Sequence, residues 1–237
     1  MEPLGEDIRW IFGTFILAFV VSEIGKELGR TFVDSKLAPQ RGPRLAHLGY
    51  TLVVVVTSFW GWSIAIKGGL YADHGDNRSL FQYTNWLFLL DIVIFMTYYL
   101  LLVGIEREGM KSAQWALRCT VAIFCAYLAW DLFVACRHLF DSQTFIAARR
   151  TTGWLHVLAS LAGASLAGLA ARTLTKAKDG RTSIYGLYGG LALLMLGFRF
   201  MTVAIHAPTD AQTLVFRTLW ILCVLSAALI AWFIPKR

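Results

Sequence analysis

The sequence predicts an all-α, polytopic integral membrane protein, a bundle of seven transmembrane helices. Three observations carry this. Hydrophobic residues make up 57% of the 237 residues and charged residues only 16%, whereas a soluble domain carries about a quarter charged residues. The apolar residues fall in long runs near the ~20 residues that a helix needs to cross the hydrocarbon. The Lys and Arg residues collect in the short stretches between those runs, where they set orientation. The runs are continuous rather than alternating. They therefore read as helices, whose backbone polar groups are satisfied within the segment, and not as barrel strands.

The first span is 8–24, its end crowded by Glu23, Lys26 and Glu27. If it did not cross, six spans would remain with the orientation of the rest unchanged. The second, 48–66, holds TLVVVVTSFWGWSIAI and no charge. The third, 80–105, contains Asp91, and the fourth, 119–136, contains Asp131. The fifth, 154–171, is rich in Gly, Ala and Ser; Ser160, Ala164 and Gly168 recur every four residues as a small-residue stripe for close helix packing. The sixth, 184–206, holds Arg199, and the seventh, 213–235, holds Arg217 near its start. No linker or soluble domain interrupts the chain. The longest connection, from Lys26 to Ala46, is basic, contains Pro39 and Pro43, and reads as a loop. Within SEIGKELGR, the charges at i, i+3 and i, i+4 read as a solvated helix end.

Fourteen basic residues fall on one side: Lys26, Arg30, Lys36, Arg41, Arg44, Arg107, Lys111, Arg118, Arg172, Lys176, Lys178, Arg181, Lys236 and Arg237. Six fall on the other: Arg9, Lys67, Arg78, Arg137, Arg149 and Arg150. The positive side is cytoplasmic, which puts the N-terminus outside and the C-terminus inside, in a bacterial-type inner membrane. The N-terminus is acidic before its first apolar run, unlike a cleavable signal peptide. Cys119, Cys125, Cys136 and Cys223 include no CxxC pair and read as small apolar residues.

Gly61-Trp62-Ser63, Ala129-Trp130-Asp131 and Gly197-Phe198-Arg199 each read small, aromatic, polar, at a constant offset of 68 residues. One helix followed by three repeated helical hairpins is the architecture this pattern implies. Equal bilayer thickness would also produce such spacing. In either case Ser63, Asp131 and Arg199 are expected at similar depth.

Charges within spans cost about 2.5–3.5 kcal/mol each on insertion scales and normally face a partner or a water-filled cavity. Asp91, Asp131, Arg199 and Arg217, together with His156, fall in the outer half of their spans, with Asp91 the deepest. Ion pairs between helices and a polar cavity open to the outside are both consistent with this set. Trp60, Trp62 and Trp130 are expected to shape the cavity walls, and Ser63 to join the ion or solute pathway.

The function expected is a small transporter or channel for an ion, proton or small polar solute. The alternatives are a membrane-embedded sensor or effector subunit acting through a protein partner, and an intramembrane enzyme acting on a lipid-like substrate. Besides the lipid bilayer, the expected partner is a second copy of the chain or another membrane protein. Nucleic acid is not expected, because no soluble segment can carry a basic face. No cofactor, metal site or catalytic residue is assigned. The last span contains no Lys for a retinal Schiff base, and no histidine pair has ligand spacing. Ser160, one turn from His156, is expected to bond back to its own helix.

Overall fold

A computed structural model describes residues 4–67, 83–107, 109–136, 147–174 and 181–204. The described chain is all-helical: α1 (Leu4–Val33), α2 (Arg41–Lys67), α3 (Tyr83–Val103), α4 (Gly109–Ala135), α5 (Ala147–Leu174) and α6 (Arg181–Ala204). The expected span 213–235, with Arg217, lies outside the described residues.

Among the described residues, four segments are long and apolar enough to cross a membrane, Ser35–Ile64, Trp86–Glu106, Lys111–Ala135 and Ile184–Thr202, and a shorter apolar segment is Trp154–Ala170. Exposed apolar stripes run along the helices at i, i+3 and i, i+4 spacing: Ile11, Phe15 and Phe19 on α1, Leu52, Val56 and Trp60 on α2, Leu89, Val93, Met96 and Leu100 on α3. Phe15 is 69% exposed and Met96 57%. A soluble monomer rarely shows contiguous apolar surface on this scale. Together with the helix lengths, these stripes make the chain an integral membrane protein.

Side-chain pairings give the helix directions. Gly42 of α2 lies against Tyr185 of α6, and Gly61 against Arg199, so these two helices run parallel. Tyr50 reaches Thr120 and Tyr127 reaches Ser58, so α2 and α4 are parallel as well. Ser160 meets Asp131 and Gly163 meets Phe124, so α5 runs antiparallel to α4. The three even-numbered helices thus share one direction and meet along a common axis, with α1, α3 and α5 returning around them. Arg30, Glu27, Arg44 and Glu106 gather at one end. At the other lie Trp10, Trp60, Trp62, Trp86, Trp130 and Trp154, each in the terminal turns of its helix. Such a girdle belongs at a membrane–water interface.

The connection from Lys26 to Ala46 is not a loop. Helix α1 continues to Val33, a 3₁₀ segment covers Ser35–Gln40, and α2 begins at Arg41. Both prolines are accommodated: Pro39 sits in the 3₁₀ segment, and Pro43 in the first turn of α2, where a backbone N–H would have no helical partner anyway. Glu27 is likewise no merely solvated charge, since it pairs with Arg44 of α2 at 2.7 Å.

The packed stripe of α5 is rotated from the expected one. Ala159, Ser160, Gly163, Ala167 and Ala170 are buried, whereas nothing stands within 4 Å of where a Cβ on Gly168 would be. The aromatic partner decides this register. The ring of Phe124 fills the notch over Gly163, and an added Cβ would stand 2.3 Å from it. Phe124 is fully buried against Phe198, so it has little room to yield. Gly163→Ala is therefore expected to destabilise the bundle by about 1–3 kcal/mol, the usual cost of overpacking. Gly168→Ala should be neutral or slightly stabilising because alanine is the better helix former. Thermal melting of the two variants in one detergent checks the contrast.

Candidate functional site in the bundle axis

The helical period selects what faces the axis. On α2 the inward positions are Arg44, His47, Thr51, Val54, Ser58 and Trp62; on α4, Ser112, Ala116, Thr120, Phe124, Tyr127 and Asp131; on α6, Tyr188, Leu191, Met195, Phe198, Arg199 and Thr202. The polar residues form two groups, one around His47, Ser112 and Tyr188 and one around Ser58, Tyr127, Asp131 and Arg199, with Val54, Phe124, Leu191 and Met195 between them.

The cluster at the charged end is fully engaged. His47, with no exposed surface, places Nε2 3.0 Å from the carbonyl of Leu101. A carbonyl can only accept, so in the neutral imidazole Nε2 carries the proton and Nδ1 accepts. Nδ1 lies 2.7 Å from the hydroxyl of Ser112 and 2.9 Å from that of Tyr188. Ser112, with a single proton, donates either to Nδ1 or to the carbonyl of Gly104, and Tyr188 can donate to Nδ1 in its place. One imidazole thus joins α2, α3, α4 and α6. Beside it, Arg44 donates to Thr31, to the carbonyl of Ile105 and to Glu27. Every polar side chain here has a partner, which is what a structural clip requires.

About 21 Å farther along α2, counting the 14 residues from His47 to Gly61 at 1.5 Å each, the second cluster surrounds Arg199. Gly61 leaves the space its guanidinium occupies, and a Cβ there would stand 1.6 Å from Nη1. The guanidinium carbon lies 5.8 Å from the ring of Tyr127 and 5.7 Å from that of Phe198. Its hydrogen bonds are long, 3.5 Å to Thr202 and 3.5 Å to the Tyr127 hydroxyl, and its Nε has no partner. The Tyr127 oxygen also meets Tyr98 at 2.8 Å and donates to Ser58 at 2.5 Å. Asp131 accepts from Ser160. It lies within electrostatic reach of Arg199, but no ion pair within 4 Å joins them. Each is more than nine-tenths buried.

Asp131, Arg199 and Ser63 do come to similar depth, since Arg199 lies on Gly61, two residues from Ser63. Ser63 donates to the carbonyl of Trp60 in its own helix. Asp91 is buried on the inward face of α3, two turns from Tyr98 toward the tryptophan end, while Asp131 lies one turn beyond Tyr127 in the same direction. Both acids therefore share the half that contains Arg199. His156 is half-buried, one turn from Ser160. The Ser160 hydroxyl crosses to Asp131 instead of bonding back to its own helix. Of the three tryptophans, Trp62 is buried, stacked on Trp10 at 5.6 Å and packed over Gly13. Trp60 stands on the lipid side, edge-on to Phe200. Trp130 is half-buried, and its indole N–H has no partner.

The sequence reading missed Tyr127, Tyr98, Ser58 and the His47 hub. Their signal was the helical period shared with the charged residues: Ser58 stands three residues before Gly61, and Tyr127 four before Asp131.

The chain matches no known family model, no curated protein and no solved structure. Among the described residues, no three His, Cys, Asp or Glu side chains come together as a metal-ligand set.

Tyr127→Phe removes the hydroxyl shared by Tyr98, Ser58 and Arg199. It is expected to destabilise the protein by about 1–3 kcal/mol, because buried partners are left unsatisfied. Tyr185→Phe, on a half-exposed ring beside Gly42, should cost less than about 1 kcal/mol. Melting of both variants in detergent tests the difference.

Proposed function

We propose that this chain is a small multi-pass transporter or channel with a polar site in the outer half of the membrane, for an ion, proton or small polar solute. The observation that carries the reading is the state of Arg199. It is a guanidinium on the bundle axis, 8% exposed, with long hydrogen bonds and no carboxylate within ion-pair distance among the described residues. A purely structural arginine in a membrane is expected to sit in close, saturated pairs, as Arg44 does at the opposite end. Arg199 is held in place by Gly61, Tyr127 and Phe198 instead, which leaves hydrogen-bonding capacity for something else.

Seven spans fit the same reading. Helices α1 and α5 are 30 and 28 residues long, enough at 1.5 Å per residue to match the thickness of a bilayer. Helix α5 runs back along α4, and 213–235 adds the seventh. The excess of basic residues orients the charged end to the cytoplasm, so the tryptophan end and the Arg199 cluster face outward. Asp91 and Asp131 then lie in the same outer half as Arg199. Val54, Ile123, Phe124, Leu191 and Met195, all 0% exposed, form a dry layer between this cluster and the His47 hub. That layer is the barrier of the occluded state.

Reconstituted into liposomes, the protein should support solute or ion flux that Arg199→Gln and Asp131→Asn each reduce at least about tenfold, equivalent to one hydrogen bond to a charged group. Asp91→Asn should lower it as well. Normal flux in all three variants at matched folding would overturn the assigned pathway. Absence of flux from folded wild-type protein would favour a partner-bound subunit or an enzyme.

A further inference from the structure

Among the described residues, two buried side-chain polar atoms have no hydrogen-bond partner: Nε of Arg199 and Nε1 of Trp130. Both are donors. Tyr127, which touches the guanidinium, is three residues before Trp130 on α4, so the indole sits one turn along the same helix. Leaving a buried donor unmade is costly, and a group able to satisfy both must be an acceptor. The cationic guanidinium selects among acceptors for negative charge.

We infer that Arg199 and Trp130 form a receptor for a small monovalent anion, such as a halide, nitrate or a short carboxylate. The inference rests on the transport reading and names its substrate class. The Nη atoms of Arg199 are turned to Thr202 and Tyr127, and Nε remains for the anion. Gly61 sets how deeply the guanidinium sits. Asp131 does not fill the site, because its carboxylate is engaged by Ser160 on the α5 side. Its negative charge offsets the guanidinium while the site is empty and repels an anion that enters. Binding is consequently weak and reversible, as permeation requires. A cation is the poorer fit. It would bring charge repulsion from Arg199 and leave both orphan donors unmade.

The first test is thermal melting of the detergent-solubilised full chain in sodium nitrate, against sodium gluconate at equal ionic strength. Nitrate should raise the melting temperature saturably, as a ligand bound to the folded state does. Arg199→Lys keeps the charge but lacks the Nε–H edge, and should weaken nitrate about tenfold. Trp130→Phe keeps a ring but lacks the donor, and should weaken it about fivefold while remaining folded. Identical melting of the wild type in nitrate and gluconate would overturn the receptor, as would a nitrate effect unchanged in Trp130→Phe. Flux in liposomes separates this inference from the transport reading. Flux that follows the cation or proton gradient and ignores nitrate overturns the anion assignment alone. Nitrate binding without flux retains the receptor and removes the transport role.

Discussion

Hydrocarbon offers no partner to a hydrogen-bonding group, and the arrangement of this bundle follows from that. Polar side chains in the spans have either to cap their own backbone, as Ser63 and Thr97 do, or to find one another across helices. The inward faces of α2, α4 and α6 provide the second solution. Hydroxyls, an imidazole, an acid and two guanidinium groups are collected on the axis, and the lipid receives Phe, Leu, Val and Met. Close approach of the helices makes this feasible, and it depends on glycine at a few sites. Gly61 admits Arg199, Gly163 admits Phe124, and Gly13 admits Trp62.

The two polar levels are chemically unlike each other. The His47 hub has a partner for every donor and acceptor described above, and its bonds reach four helices. The Arg199 cluster has long contacts, orphan donors and an acid that is close but not paired. Fully satisfied networks rigidify and specify a structure, whereas a buried donor left without a partner costs free energy. Val54, Ile123, Phe124, Leu191 and Met195, apolar and fully buried, stand between the two levels.

Apolar runs revealed the helical class and the middle of each described helix, because hydrophobicity reports directly on lipid. They did not reveal the ends. Arg41–His47 and Gly109–Arg118 are polar enough to read as connections, yet they are the first turns of α2 and α4, with His47 and Ser112 turned inward. The depth of Asp131 and Arg199 could be counted along the chain. Their partners could not, since Ser58, Tyr127 and Ser160 are ordinary residues whose role comes from neighbours 29 to 72 positions away in sequence. The stripe on α5 was expected one position off because small residues occupy almost every turn of that helix. Only the aromatic ring of Phe124 distinguishes one face from the next.

The two ends of the bundle are held by forces of different kinds. At one end, directional bonds from His47 and Arg44 tie the helices together, and any displacement breaks several at once and strands buried groups. At the other, Trp10, Trp62, Phe59 and Phe95 meet as stacked, tilted and edge-on rings. Such contacts are worth about 0.5–1.5 kcal/mol apiece beyond burial and favour offset or edge-on geometries. The bundle is therefore held differently at its two ends, by a root of saturated hydrogen bonds and by a crown of aromatic contacts beside the Arg199 cluster.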